Sequence, residues 1–454
     1  MALFRKLRRQ KKGRVIVIGL DGTPFTYMQR LLQEGQMPHF AQLLEEGGWA
    51  RIHSVYPTVS SVAWSTYMTG VNPARHGIFG FVDRKPGTYD TTIPSSRMMR
   101  ETTLWEHLGQ AGKRVIVMNV PVTYPPRQVN GLLVGGFLSP TVEKATHPPE
   151  LAGRLQQWGY RLDADPWKAR ESKDLALQEV NDVLDRRIRA MFHLLEEEEW
   201  DFFQCHVMET DRLFHFLWQE MEEGHPEYAP RFLAFMQRID AMLGQLRERL
   251  DEGSTLLVMS DHGFCTLKKE VYVNNWLQQK GWLRVKVPEG ERPRLNHIDP
   301  ESVAYSLDPG RIFINLVGRE PQGTIQHGAQ YEALREVIAA AALELRDPED
   351  GSPMVAQVLK REEIYHGPLL EQAADLILVP VDGYDLKGPL KKPALTFKGD
   401  ELVGMHTYDD AMLYIRGRRI ADGDWGVIDV MPTIFSLMDL PVPEGLDGQV
   451  CLEG

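Results

Sequence analysis

The sequence predicts an α/β fold: a doubly wound, mostly parallel central sheet flanked by helices, with helical and loop insertions. Three observations lead there. Short β-branched apolar runs recur along the chain, amphipathic helical patterns lie between them, and Asp-containing polar strings follow several of the runs directly. Runs of this kind suit strands buried on both faces, and their alternation with helices is the pattern of a parallel sheet covered on two sides.

The first run is 15–19, Val-Ile-Val-Ile-Gly, and similar runs recur at 114–120, 132–137, 202–208, 255–260 and 374–380. Between them, Leu177, Val180, Leu184, Ile188, Met191 and Leu195 form one helical stripe, and Phe232, Phe235, Ile239, Met242, Leu246 and Leu250 form another. Both stripes have the three-and-four spacing of a helix with one buried face. They read as core surface and carry no function of their own. The segment 141–200 is charged and helical, ending in four glutamates that read as a solvated helix end, and the segment 264–307 is rich in Lys, Arg and Pro. Both are expected as insertions bordering the active site of one catalytic domain, 15–454, preceded by a basic tail, 1–14.

That tail holds seven Lys or Arg and no acid. The apolar run behind it stops at Asp21, too soon for a signal peptide. The tail is expected to be a solvated terminus, with weak contact to an anionic membrane surface as the sharper reading. The whole chain carries a net charge of -12, which argues against a nucleic-acid-binding surface. With so acidic a surface, any anion the chain binds must meet locally concentrated positive charge, and metal ions are one way to supply it. No apolar run approaches the ~20 residues of a membrane span. Three widely spaced cysteines, Cys205, Cys265 and Cys451, form neither a disulfide framework nor a CxxC site, which fits a reducing cytoplasm.

The chemistry-bearing residues gather at predicted strand ends, where open α/β sheets place their functional groups. Asp21 follows the first run in Gly-Leu-Asp-Gly-Thr. Alone it could be turn chemistry. Asp261 and His262 stand in the same position after 255–260, in Ser-Asp-His-Gly-Phe, offering oxygen and nitrogen ligands before a glycine that lets the chain turn. Asp211 and His215 follow 202–208 four residues apart, so on a helix they share a face and can hold one ion between them. An isolated pair of this kind is more often a surface ion pair. His406, in Gly-Met-His-Thr-Tyr, gains interest because one such site lacks a ligand. Ser60 lies within Tyr-Pro-Thr-Val-Ser-Ser-Val-Ala-Trp, where a hydroxyl at a helix start meets an anion or simply caps the helix.

Taken together, these motifs resemble the type I phosphodiesterase and nucleotide pyrophosphatase branch of the alkaline phosphatase superfamily. The resemblance runs from Val15 to near Leu452 and includes Asn-Val-Pro-Val-Thr-Tyr-Pro-Pro at 119–126 and Leu-Pro-Val-Pro-Glu-Gly-Leu-Asp-Gly at 440–448. It implies an alkaline phosphatase-like domain that hydrolyses small-molecule phosphate esters with two divalent cations, zinc ahead of manganese. Ser60 would be the nucleophile. Asp211, His215 and His406 would hold one cation; Asp21, Asp261 and His262 would hold the other, with Ser60 also bound to it. In the family an Asn commonly follows the His-Gly-Ile segment and contacts a phosphate oxygen; here Phe81 stands at that position. Thr23 and Arg84 are candidate replacements as substrate contacts, and Lys85 reads as a surface residue.

Two relatives of this fold compete. A sulfatase needs a Cys/Ser-x-Pro-x-Arg motif, and the string from Ser60 to Trp64 has neither the Pro nor the Arg. A phosphomutase or phosphomonoesterase uses a similar ligand set and is told apart by what it releases. A non-catalytic metal-binding protein is disfavoured because every ligand and nucleophile position holds a competent residue.

Overall fold

The computed structural model describes residues 13–251 and 253–454. Its centre is an eight-stranded sheet in the order Gly47–Ile52, Ala411–Arg416, Ser254–Met259, Arg14–Leu20, Phe202–Val207, Val115–Met118, Gly131–Val134, Thr146–His147. The five strands from Ser254–Met259 to Gly131–Val134 run parallel. Ala411–Arg416 and Thr146–His147 join them antiparallel, so the sheet is mixed and mostly parallel, as the sequence predicts.

The first strand shows why its residues are apolar without a break. Ile16, Ile18 and Leu20 enter one hydrophobic core, and Val15 and Val17 enter a second on the opposite face. Helices Lys173–Glu197 and Tyr228–Arg249 seal the first face with the stripes read from sequence. Helices Ser60–Thr69 and Val430–Leu437 seal the other.

The run 374–380 departs from expectation. Its strand, Leu376–Pro380, belongs to a separate antiparallel sheet ordered Ala304–Leu307, Arg311–Ile314, Leu376–Pro380, Val355–Lys360. This sheet has its own core, which includes Tyr305, Ile312, Phe313 and Leu376. A short apolar run marks a buried strand but does not say which sheet buries it. Arg14 also departs from the basic tail: it opens the first strand, and its Nε donates to the Trp200 carbonyl at 3.2 Å. Membrane-surface contact through the tail falls on residues 1–12, outside the described residues. Within the described residues, no helix is long and apolar enough to cross a membrane. The glutamates at 196–199 are not merely solvated, since Arg154 pairs with both Glu197 and Glu198.

Candidate metal and catalytic site

Three parallel strands deliver the site at their carboxyl ends. Asp21 leaves strand Arg14–Leu20, and Asp261 and His262 leave Ser254–Met259. Helix Glu209–Glu222 starts just beyond Phe202–Val207 and carries Asp211 and His215 on one face. His406 arrives by strand pairing. Gly404–Thr407 runs antiparallel to Gly263–Thr266 with His406 opposite Phe264, which sets it beside His262 despite the long separation in sequence. Gly404 permits that approach: a Cβ there would lie 2.4 Å from the Phe214 carbonyl oxygen.

Two clusters result. Asp21, Asp261 and His262 offer ligand atoms all within 4.8 Å of one another, and so do Asp211, His215 and His406. The clusters adjoin, since the His262 and His406 rings stack with centroids 3.7 Å apart. Each imidazole is oriented by the backbone: Nδ1 of His215 lies 2.9 Å from the Gly404 carbonyl, Nδ1 of His262 3.0 Å from that of Gly263, and Nδ1 of His406 3.1 Å from that of Thr58. With Nδ1–H donating to a carbonyl, each Nε2 keeps its lone pair for the cluster.

Ser60 begins helix Ser60–Thr69, and its Oγ is 3.1 Å from Asp21 Oδ1 and 3.3 Å from His262 Nε2. The other Asp21 oxygen is occupied: His206 Nε2 lies 2.7 Å from Oδ2, and Trp64 Nε1 donates to it at 3.0 Å. Asp21 therefore turns Oδ1 alone toward the cluster. Sequence reading missed both supports. His206 sits inside an apolar run, and Trp64 reads as core. The signal lies in Gly19, whose missing Cβ leaves room for Trp64; a Cβ there would come within 2.5 Å of the indole.

The electrostatics suit divalent cations. Burial, reinforced by the charge of Asp21, pushes the Asp261 carboxyl well above the usual range. Burial acts to raise Asp211 too, but His215 and His406 beside it hold it well below. Burial and the neighbouring His406 lower His262 to about 3. Asp261 Oδ2 is buried with no hydrogen-bond partner among the described residues. Three buried carboxylates and three imidazole lone pairs, with one oxygen orphaned, form an oxygen and nitrogen donor set that fits two cations.

The Asp211, His215 and His406 cluster opens on a cavity of about 300 Å³. Ser60, Asp211, His215 and His406 line it, together with Phe81, Phe137 and Arg212. Of the two proposed substrate contacts, neither reaches it. Thr23 is fully buried with its hydroxyl unpartnered among the described residues. Arg84 pairs with Glu320 at 3.5 Å beneath the antiparallel sheet and borders a different cavity. Two cations line the catalytic cavity among the described residues, Lys387, paired with Asp385 at 2.6 Å, and Arg212, next to Asp211 in sequence. Its Nη2 donates to Asp163 Oδ2 at 2.8 Å, and its Nη1 lies 3.6 Å from Asp211 Oδ2. Phe81 stacks on Phe137 with centroids 5.8 Å apart, and the Arg212 guanidinium lies 5.4 Å from the Phe137 ring centre.

The chain matches the family model described as type I phosphodiesterase / nucleotide pyrophosphatase over residues 15–409. No curated protein matches it in sequence. Among solved structures, phosphonoacetate hydrolase from Sinorhizobium meliloti 1021, in complex with phosphonoacetate, is similar with a TM-score of 0.66 at 19% identity, over 94% of this chain and 95% of that one. Inactive murine ectonucleotide pyrophosphatase / phosphodiesterase 5, in complex with AMP, is similar with a TM-score of 0.58 at 16% identity, over 97% and 100%. The alkaline phosphatase PafA gives a TM-score of 0.59 at 13% identity, over 97% and 98%. At these identities the likeness is one of fold.

Proposed function

Because the chain belongs to the type I phosphodiesterase / nucleotide pyrophosphatase family, we propose that it is a two-metal phosphoric ester hydrolase of phosphodiesterase type acting through Ser60. The observation that carries this is a pair of adjoining Asp/His clusters with Ser60 between cluster and cavity: its hydroxyl lies 3.1 Å from Asp21 of one, and it lines a single cavity with Asp211, His215 and His406 of the other.

Asp21, Asp261 and His262 would hold one divalent cation, and Asp211, His215 and His406 a second. Zinc suits this mixed donor set, with manganese as the alternative. When bound, such cations stabilise developing charge on phosphoryl oxygens and ease ionisation of a nearby hydroxyl. The chain's own groups do the rest. His206 and Trp64 fix Asp21, and Asp21 with His262 fixes Ser60 Oγ. Ser60 loses its Oγ proton to solvent and attacks phosphorus in line; the Oγ–P bond forms as the bond to the leaving alcohol oxygen breaks, and that oxygen takes up a proton from water. Water then attacks from the opposite side and breaks the Oγ–P bond, returning the serine. The positive end of helix Ser60–Thr69 favours the anion throughout. Arg212, anchored by Asp163, supplies the phosphoryl-oxygen contact that Phe81 cannot make. Arg212 and Lys387 face the carboxylates of Asp308, Asp382 and Asp385 on the cavity wall, Lys387 already paired with Asp385, and this acidic excess suits a diester monoanion over a monoester dianion. The three cysteines are unpaired, in keeping with action in the cytoplasm.

The test is hydrolysis of bis-p-nitrophenyl phosphate against p-nitrophenyl phosphate, with zinc and with manganese, by the wild type and by Ser60→Ala. The reading expects a diester preference that is lost with Ser60. A monoester preference would move the assignment to phosphatase or mutase, and full activity in Ser60→Ala would refute the nucleophile.

A further inference from the structure

Arg311 lines a separate cavity of about 330 Å³. It donates to the Val82 carbonyl at 2.6 Å and to the Asp308 carbonyl at 2.8 Å, both on the wall of the catalytic cavity, but the two cavities share no lining residue. Their charges are opposite. Arg84, Lys85, Arg100 and Arg311 line the separate cavity against one carboxylate, Asp83. That carboxylate is already taken, since Arg311 Nη1 donates to it at 2.6 Å. On a chain of net charge -12, four cations gathered in one concavity run against the rest of the molecule. A concave wall of one sign concentrates counterions.

The other three cations lack full partners. Lys85 and Arg100 are exposed and make no ion pair or side-chain hydrogen bond among the described residues. Arg84 is enclosed, its side chain 5% exposed. Its Nη2 lies 3.5 Å from Glu320, a carboxylate that Arg319 already holds at 2.9 and 3.1 Å. Its Nε and Nη1 are buried with no hydrogen-bond partner among the described residues. A buried guanidinium ordinarily spends its donors, so two idle ones at a cationic cavity mark a missing acceptor. The single charge of a carboxylate would leave these cations uncompensated. A doubly charged tetrahedral oxyanion has oxygens for guanidinium forks and an ammonium at once. Phe79, Met98 and Leu369 add apolar wall, which leaves a place for a small organic group beside the anion.

We propose that this cavity is a second anion site, which takes a phosphate dianion, free or as the monoester of a small organic group, between Arg84, Lys85 and Arg100. It stands apart from Ser60 and does not depend on the chemistry there.

The experiment reads Lys85 itself. The metal-loaded full chain is acetylated with an N-hydroxysuccinimide ester, and the rate at Lys85 is followed by peptide mapping, with exposed Lys280 as the internal reference. Sodium phosphate is compared with sodium chloride at equal ionic strength, so that general screening cancels. At a phosphate concentration about ten times that of half-protection, Lys85 should react about tenfold more slowly, with Lys280 unchanged. Arg84→Met and Arg100→Met should each abolish the protection; should Arg84→Met not fold, Arg100→Met, at an exposed side chain, decides. Half-protection at a lower concentration of phenylphosphonate than of phosphate would support the site as one for an organic monoester, and the reverse would support it as one for the free ion. Equal Lys85 rates in phosphate and chloride would overturn the proposal, as would protection that survives Arg100→Met. Lys85 lies outside the catalytic cavity, so either failure leaves the phosphodiesterase reading intact.

Discussion

Replacing Arg187 with Met should destabilise the protein and loosen one half of the site. Arg187 and Glu209 form an ion pair whose side chains are 1% and 0% exposed. Arg187 Nε lies 2.9 and 3.0 Å from the two carboxylate oxygens, and Nη2 lies 2.6 Å from Oε1. Its remaining donors go to the Tyr160 hydroxyl at 2.7 Å and the Leu162 carbonyl at 3.0 Å. Glu209 is the first residue of the helix that carries Asp211 and His215. Met keeps most of the volume but leaves the carboxylate buried without its partner, which costs about 3–5 kcal/mol. The helix N-terminus returns up to about 1 kcal/mol of that by favouring a negative charge. A net loss of about 2–5 kcal/mol is therefore expected. Glu209→Leu in the same chain should recover most of it, because no charge is then stranded. Urea unfolding of the single and double variants measures both numbers, and isothermal titration with zinc measures the affinity of the second cluster, which should fall in the single variant. A loss below about 1 kcal/mol, or a double variant no more stable than the single, would falsify this account of what holds the helix.

Other consequences follow from the same geometry. Arg212→Met should lower kcat/KM for a diester by about 10- to 100-fold, the range set by one hydrogen bond to a charged group of about 1.5–3 kcal/mol, with wild-type metal content by plasma emission. An unchanged kcat/KM would remove Arg212 from the substrate. His406→Ala should reduce tightly bound zinc from two ions per chain to one after gel filtration, and retention of two would separate His406 from the ligand set. His76 accepts a hydrogen bond from the Ile78 N–H at Nδ1 and places Nε2 3.0 Å from the Thr66 hydroxyl, so it is held neutral, and burial lowers it from 6.5 to about 3. The unfolded chain then binds the extra proton first, so this group's contribution is intact above pH 6.5 and is lost as pH falls toward 3. Between pH 6.5 and 5 the wild type should lose about 2 kcal/mol more than His76→Gln, read from urea midpoints at both pH values, and parallel losses would contradict it.

The sequence is informative where chemistry and strand ends coincide. Asp21, Asp261 and His262 could be placed because each directly follows an apolar run, and the Asp211–His215 spacing needs only a helix to put both on one face. His406 could be picked out as a missing ligand, but its position depends on the antiparallel pairing with Gly263–Thr266, which no local pattern encodes. Contacts made across the chain were hidden. Arg84 lies near the expected substrate segment, yet its guanidinium reaches Glu320, while Arg212, adjacent to a candidate ligand, takes its place in the cavity. His206 and Glu209 look like members of a buried strand and a helix start; only the fold reveals that one grips Asp21 and the other Arg187. The run 374–380 shows the same limit: burial is legible in a short run, but the antiparallel partners of its strand are not.

The account turns on covalent chemistry at Ser60. Rapid quench of the metal-loaded enzyme with a p-nitrophenyl diester, followed by peptide mapping by mass spectrometry, reads that directly. The account predicts a phosphoryl adduct on the peptide containing Ser60, formed at a rate no slower than turnover and absent in Ser60→Ala. Turnover without any adduct, at a rate that Ser60→Ala reproduces, would contradict it.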